Sequence, residues 1–364
     1  MAMNSVALAV QGGGSHGAFS WGVLDRLLDE VAEDRLHIAA LSGASAGGFN
    51  AALAAYGLGK APGAEGARIA QRVLADFWLG DAHLAPFSLF SNTAQAWHQT
   101  TGSWNIDDTP TVLGVDLAEQ LLSPYVMPRI EWLKLALGRA IDFAELRRQT
   151  GGPELYITAT NITHNRRDIF ARTAITYDVL AASACIPTVF PARPLKTDGA
   201  TDYYWDGGYM GNPSLMPLTG HASDLIVIQV NPFARPGSPP RTVPAIQNRI
   251  NEITFNSALV LELSTITALD REIAEQGGNG IFLHRIADEA YMASLGYASK
   301  LVILQDFIEE LRRVGRATAD SWLRDPARGG QLGKQSTLDQ GILQRIVTHA
   351  PIIRHVHEAE LART

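Results

Sequence analysis

The sequence predicts an α/β protein with a mainly parallel sheet covered by helices and a helix-rich C-terminal stretch. Three observations carry this. Short, fully apolar runs alternate with longer segments whose apolar residues recur at helical spacing, the pattern of buried parallel strands under helices. The hydrophobic fraction is 46% over 364 residues, ample for one large core. The first two apolar runs each end in a glycine cluster, where such sheets turn from strand into helix.

Val6–Val10 reads as a buried strand. Ala18, Phe19, Val23, Leu24, Leu27, Leu28 and Val31 then recur at helical spacing. Leu36–Leu41 is a second strand, and the small-residue run from Ala46 to Tyr56 a second, buried helix. Residues 81–130 show no clear period. Their aromatic residues, among them Phe87, Phe90, Trp97 and Trp104, sit among polar and turn-forming residues. This predicts an irregular segment with short helices over one edge of the sheet, of the kind that forms lids and binding loops. Leu155–Asn161 is a strand, residues 163–167 (THNRR) a solvated turn, and Asp168–Ala171 a returning strand. Tyr177–Ile186 is a short helix stopped by Pro187. Leu225–Val230 is another apolar strand, followed by the Pro-rich linker candidate NPFARPGSPPR. Helical patterns near 244–275 and 298–323 flank a strand-like Ile281–Ile286. The expected organisation is a single domain over 1–364, with a core of about 5–235 and a helical extension of about 240–364.

The net charge of −7 and pI near 5.8 give no general attraction for nucleic acid or anionic headgroups, so no nucleic-acid partner is expected. Cys185 is the sole cysteine, which leaves no internal disulfide and nothing pointing to an oxidising compartment. No basic n-region precedes a long apolar run at the N-terminus, so no signal peptide is expected. Every apolar run is interrupted well short of the ~20 residues that span a bilayer. A cytoplasmic protein is expected, at most peripheral at a membrane.

Gly12, Gly14 and Gly17 fit the dinucleotide pattern G-x-G-x-x-G. That reading needs a carboxylate at the end of the second strand to hold the ribose hydroxyls. Leu41-Ser42 leads instead into Gly43-Ala44-Ser45-Ala46-Gly47, the G-x-S-x-G of a nucleophile elbow, between a predicted strand and a predicted helix. A serine at such a turn sits in a strained backbone, and its neighbours two positions away must be very small. The next helix aims its positive end at Ser45. An acyl-transfer nucleophile also needs N–H groups facing a developing oxyanion. The loop Gly12, Gly13, Gly14 and Ser15 offers bare amides at the end of the adjacent strand, so it reads better as an oxyanion hole than as a phosphate cradle.

Serine needs a base. None of the ten histidines sits in a convincing frame: His221 precedes a strand, and His284 lies near a strand end. The other candidate is Asp206, followed by the turn glycines Gly207 and Gly208. The ordered blocks GGGSHG, GASAG and DGG, with Ala182–Ala192 (ASACIPTVFPA) ahead of the last, resemble the patatin-like phospholipases. The resemblance spans residues 6 to about 215. It implies a three-layer α/β/α patatin-like fold and hydrolysis of acyl esters, most naturally of lipids, through a Ser45–Asp206 dyad without metal or organic cofactor. It also implies an oxyanion hole at Gly12–Ser15, with Gly17, Gly43, Gly47, Gly207 and Gly208 as motif glycines. One position departs. His16 stands where the family usually has arginine or lysine, so a permanent positive charge is lost or becomes dependent on pH. The extension contains NEITFN (251–256) and SKL (299–301), to which the sequence assigns no chemistry.

Alternatives are an acyltransferase with the same acyl-enzyme, a nucleotide-binding protein using the glycine loop, and a catalytically silent scaffold. The aromatic segment 86–104 is a candidate for membrane contact through Phe87 and Phe90. His355, His357, Glu358 and Glu360 form no complete metal set and read as a solvated terminus. Arg312, Arg313 and Arg316 read as surface partners of Glu309 and Glu310, and Cys185 as a buried small residue.

Overall fold

The structure is a computed structural model that describes residues 3–80, 88–121, 125, 132–187, 189–197, 199–235, 238–277 and 280–338. Strand β1 (Asn4–Val10) leads through the glycine loop into helix α1 (Gly17–Ala32), then β2 (Leu36–Gly43) and α2 (Ala46–Leu58). Helices α3 (Gly63–Leu79), α4 (Ser88–Thr101), α5 (Pro110–Leu121), α6 (Trp132–Ala140) and α7 (Phe143–Arg148) come next. The chain returns to the sheet in the hairpin β3 (Glu154–Asn161) and β4 (Arg166–Ala171), makes α8 (Tyr177–Ser183), and forms a second hairpin, β5 (Arg193–Thr197) and β6 (Ala200–Trp205). Then come β7 (Asp224–Ile228), α9 (Val243–Glu275), β8 (Phe282–Ile286), α10 (Glu289–Ser294) and α11 (Gln305–Arg324).

Among the described residues these strands form one eight-stranded sheet in the order β5-β6-β3-β2-β1-β7-β8, with β4 on the other edge of β3. The centre is parallel: β1 pairs with β2 and β7, β2 with β3, and β7 with β8. Both hairpins are antiparallel additions.

Side-chain alternation divides the core into two faces. Val6, Leu8 and Val10 point to one face with α1, α2, α3 and α11. Ala7 and Ala9 point to the other, where Leu225, Val227 and Leu283 meet Leu259, Leu263 and Ile266 of α9. Successive strand residues face opposite ways, so the VALAV run serves both layers. Helix α2 is buried on every side from Ala46 to Gly57, which is why it is built from alanine and glycine rather than from an amphipathic pattern. Helix α11 is amphipathic and closes over α1: buried Asp25 accepts from Arg312 and Arg316, each at 2.7 Å, and Asp29 from Arg316 at 2.7 Å. These arginines thus tie two helices together rather than pairing along their own surface.

The hairpin β5–β6 and helix α3 have no counterpart in the sequence reading. β4 also starts two residues earlier than read, and α8 ends three residues earlier. Arg167 lies in the strand and forms an ion pair with buried Glu262 of α9, so only Arg166 matches a solvated position.

Candidate active site

β2 and β6 deliver the two candidate catalytic residues to one place. β2 runs parallel to β3 and pairs with it over Glu154–Ile157. β6 runs antiparallel to β3 and pairs at Thr160 and Asn161. Residues Tyr156 and Thr160 of β3 pair on their opposite edge with β4. β2 and β6 therefore share one edge of β3, and their carboxyl ends converge from opposite directions. Ser45 lies just past the end of β2, and Asp206 just past the end of β6.

Ser45 has φ 55° and ψ −133°, a left-handed conformation that costs a non-glycine residue roughly 1–3 kcal/mol. The surroundings enforce it. A Cβ on Gly43 would overlap the carbonyl of Gly47, and one on Gly47 would overlap the carbonyl of Val10. The Ser45 N–H is shared between the Oγ (2.9 Å) and the carbonyl (3.1 Å) of Ser183. Ser183 Oγ in turn donates to the Thr158 carbonyl at 2.7 Å. The end of α8 is thereby fastened to the elbow.

Asp206 is buried. Its N–H donates to the Cys185 carbonyl (2.8 Å), and its carbonyl accepts from Thr160 Oγ1 (2.8 Å). Its carboxylate accepts from the Gly208 N–H at 2.8 Å. Burial pushes the Asp206 carboxyl up to about 6, against the opposing pull of the nearby Ser45 hydroxyl, the Gly208 N–H and Lys300. Gly207 packs so closely on the Thr158 carbonyl that a side chain there would overlap it.

The glycine loop lies beside this pair. Gly12 does not offer a free amide: its N–H donates to Asn212 Oδ1 at 2.7 Å, and its carbonyl accepts from Asn231 Nδ2 at 3.0 Å. Gln11 Oε1 accepts from the N–H groups of Val230 (2.9 Å) and Asn231 (2.7 Å), while its Nε2 donates to Asn256 Oδ1 (3.0 Å). Among the described residues, nothing accepts from the N–H groups of Gly13, Gly14 and Ser15. The candidate oxyanion donors narrow to these three. Gly17 begins α1 against Ala46, and Gly208 lies against Phe255.

Ser45, Gly14 and Ser15 open onto a cavity walled mainly by apolar side chains, including Phe49, Phe77, Trp78, Phe190 and Ile303. Lys300 and Leu301, from the SKL stretch, also line it. NEITFN lies nearby through Asn256, which holds Gln11, and Phe255, which covers Tyr209 edge-on. Sequence reasoning singled out both stretches without a role. It missed Gln11, Asn212, Asn231 and Asn256 as supports because asparagine and glutamine carry no pattern of their own.

His16 is buried, and its Nε2 lies 2.8 Å from Ser299 Oγ. Burial, with Lys300 and Arg235 nearby, holds its pKa well below the usual histidine range. Of the two expectations for this position, the structure favours a lost charge over a pH-dependent one. His284 is remote: it pairs with Asp224 (2.8 Å) and Thr337 (2.9 Å), and Asp224 begins β7 at the amino end of the sheet. His221 lies at that end too, 2.9 Å from the Tyr156 hydroxyl. Cys185 is buried in the cavity wall, and burial beside Asp206 pushes its thiol up to about 12, far from a reactive thiolate.

The aromatic segment faces inward more than its composition suggested. Phe90 and Trp104 are buried, and Trp104 stacks on His98 at 3.8 Å. Phe90 is thus a core residue, while Phe87 lies outside the described residues. So do His355, His357, Glu358 and Glu360. Among the described residues, no three His, Cys, Asp or Glu side chains group as metal ligands, and no helix is long and apolar enough to cross a membrane.

The sequence matches the family model for patatin-like phospholipase over residues 8–219, more than half the chain. The chain belongs to the patatin-like phospholipase family, whose members are lipid acyl hydrolases. No curated protein matches it. Among solved structures it is similar to VipD from Legionella pneumophila, with 13% identity over 88% of this chain and 67% of that chain and a TM-score of 0.36.

Proposed function

We propose that this protein hydrolyses carboxylic esters of acyl lipids with Ser45 as nucleophile and Asp206 as general base. The observation that carries the proposal is a serine at a strained elbow, facing an apolar cavity, whose hydroxyl neighbours the buried Asp206 carboxylate closely enough to pull on its pKa. The apolar walls suit an acyl chain.

Asp206 takes the Ser45 proton as Oγ bonds to the ester carbonyl carbon. The carbonyl oxygen becomes an oxyanion held by the N–H groups of Gly13, Gly14 and Ser15. The intermediate collapses, the C–O bond to the alcohol breaks, and the leaving oxygen takes the proton from Asp206. Water then attacks acyl-Ser45 while Asp206 accepts its proton. The carboxylic acid departs and the Ser45 hydroxyl is restored. The reading treats the whole chain as one hydrolase domain, because β8 joins the central sheet and the extension contributes to the cavity wall.

The test is hydrolysis of medium-chain p-nitrophenyl esters and of a fluorogenic phospholipid by wild type, Ser45→Ala and Asp206→Asn. Both variants are expected to fold and to lose roughly 10⁴-fold in kcat, as when one member of a cooperating serine site is removed. Full activity of either folded variant would refute the dyad.

A further inference from the structure

The position before Gly17 holds a neutral histidine, yet the cavity is not without positive charge. Lys300 arrives from the C-terminal extension, on the short turn Ala298–Leu301. Asp107 holds this turn by accepting from the N–H groups of Tyr297 and Ala298, each at 2.9 Å. Ser299 presents its hydroxyl to His16, and the Lys300 carbonyl lies where a side chain on Gly14 would stand. The turn is locked against the glycine loop.

Lys300 is half-buried, and it lines the cavity with Ser45, Gly14 and Ser15. Its ammonium has three donors. One is used on Asn231 Oδ1 at 2.9 Å, and no other described residue accepts from it. Asn231 also holds the Gly12 carbonyl, so the ammonium is fixed relative to the loop. Arg193 lines the cavity too, and Lys300 pulls on the Asp206 carboxylate.

We infer that Lys300 is an anion subsite of the acyl cavity, binding the carboxylate of a fatty-acid product and facing the oxyanion that precedes it. The inference rests on the proposed ester hydrolysis for its catalytic half, and for its binding half on the place of Lys300 in the cavity wall and its hold on Asn231 beside the glycine loop. The groups facing Lys300 are Asp206, Asp107 and Glu252 on the acidic side, and Arg235 and neutral His16 on the other. Glu252 is already engaged by Arg235 at 2.7 Å and Arg249 at 3.2 Å. Burial pulls the ammonium down to about 8, so the subsite loses its charge in mildly alkaline solution.

The experiment is calorimetric titration of the full chain with decanoate, and with 1-decanol as the neutral control, at pH 7 and pH 9.5. Wild type, Lys300→Met, Lys300→Arg and Ser45→Ala are compared. Decanoate binding at pH 7 is expected to weaken about tenfold in Lys300→Met, the worth of one charge-assisted hydrogen bond. It should weaken similarly in wild type at pH 9.5, and persist at both pH values in Lys300→Arg. Decanol binding should be the same throughout. Decanoate binding to Lys300→Met within twofold of wild type, or a wild-type affinity unchanged between the two pH values, would overturn the inference. A parallel loss of decanol would also overturn it, by showing that the substitution damaged the cavity rather than its charge. Wild type that binds decanoate as described but hydrolyses no ester sinks the proposed function and leaves the subsite standing. Retained binding in Ser45→Ala separates the two in the same way.

Discussion

An aspartate of ordinary pKa is a weak base for a serine hydroxyl, and among the described residues no histidine stands between Asp206 and Ser45 to help. The structure answers with burial. A carboxyl raised from 3.8 to about 6 is a stronger base that is still largely ionised at neutral pH. In the proposed mechanism kcat/KM should therefore rise with pH through about 6, and an acid limb near 4 would show that Asp206 is not the titrating base. The same shift has a cost in stability. A group whose folded pKa exceeds its unfolded one favours the native state below the unfolded pKa, and that contribution is lost as pH rises through the folded value. Between 3.8 and about 6 the loss is roughly 3 kcal/mol, carried in full above pH 6. Asp206→Asn should thus melt at a higher temperature than wild type at pH 8, with the gain shrinking toward pH 4, as scanning calorimetry would record. As candidates, Ser45 was legible in the sequence because a strained elbow demands glycines around it, and Asp206 only through the family resemblance of its D-G-G block. Lys300 was not: a lone lysine in a helix-rich stretch looks the same whether it faces solvent or a cavity.

At the scale of elements, the site depends on strands that end where backbones nearly touch. Gly47→Ala would press a methyl group into the Val10 carbonyl, which cannot move without β1. Overpacking of this kind costs about 1–3 kcal/mol, and ester turnover should fall with it. Gly138 of α6 has open space around its Cβ position. Gly138→Ala should instead stabilise by about 0.5–1 kcal/mol through helix propensity, so urea unfolding of the pair separates steric need from mere glycine content. The central strands were readable because each is a continuous apolar run. The β5–β6 hairpin was not. Its residues alternate between exposed and buried with two tyrosines and a tryptophan, and Asp206 therefore looked like part of an isolated turn. Helix α3 went unread for a different reason: it lies between a buried alanine-rich helix and an aperiodic segment, without a side-chain cap to mark its start.

At the scale of the whole molecule, the extension is continuous with the family core. β8 extends the sheet, α9 covers one face, and α11 clasps α1 on the other. Asn256 and the 298–301 turn brace the glycine loop. A chain ending at residue 239 would bare the apolar face of Ala7, Ala9 and Val227 and lose these braces. It is expected to aggregate on expression and to lack ester hydrolysis, whereas an active, monodisperse 1–239 fragment would show the extension to be dispensable. The sequence reading separated the extension because a proline-rich linker precedes it, and linker composition says nothing of where the chain next packs. The central claim, that Ser45 is a nucleophile activated by Asp206, is tested most directly by labelling the full chain with a fluorophosphonate and mapping the adduct by mass spectrometry. The account predicts a single adduct on Ser45, formed at a rate that rises through pH 6 and collapses in Asp206→Asn. An adduct on another residue, or equally rapid labelling of Ser45 in folded Asp206→Asn, would contradict it.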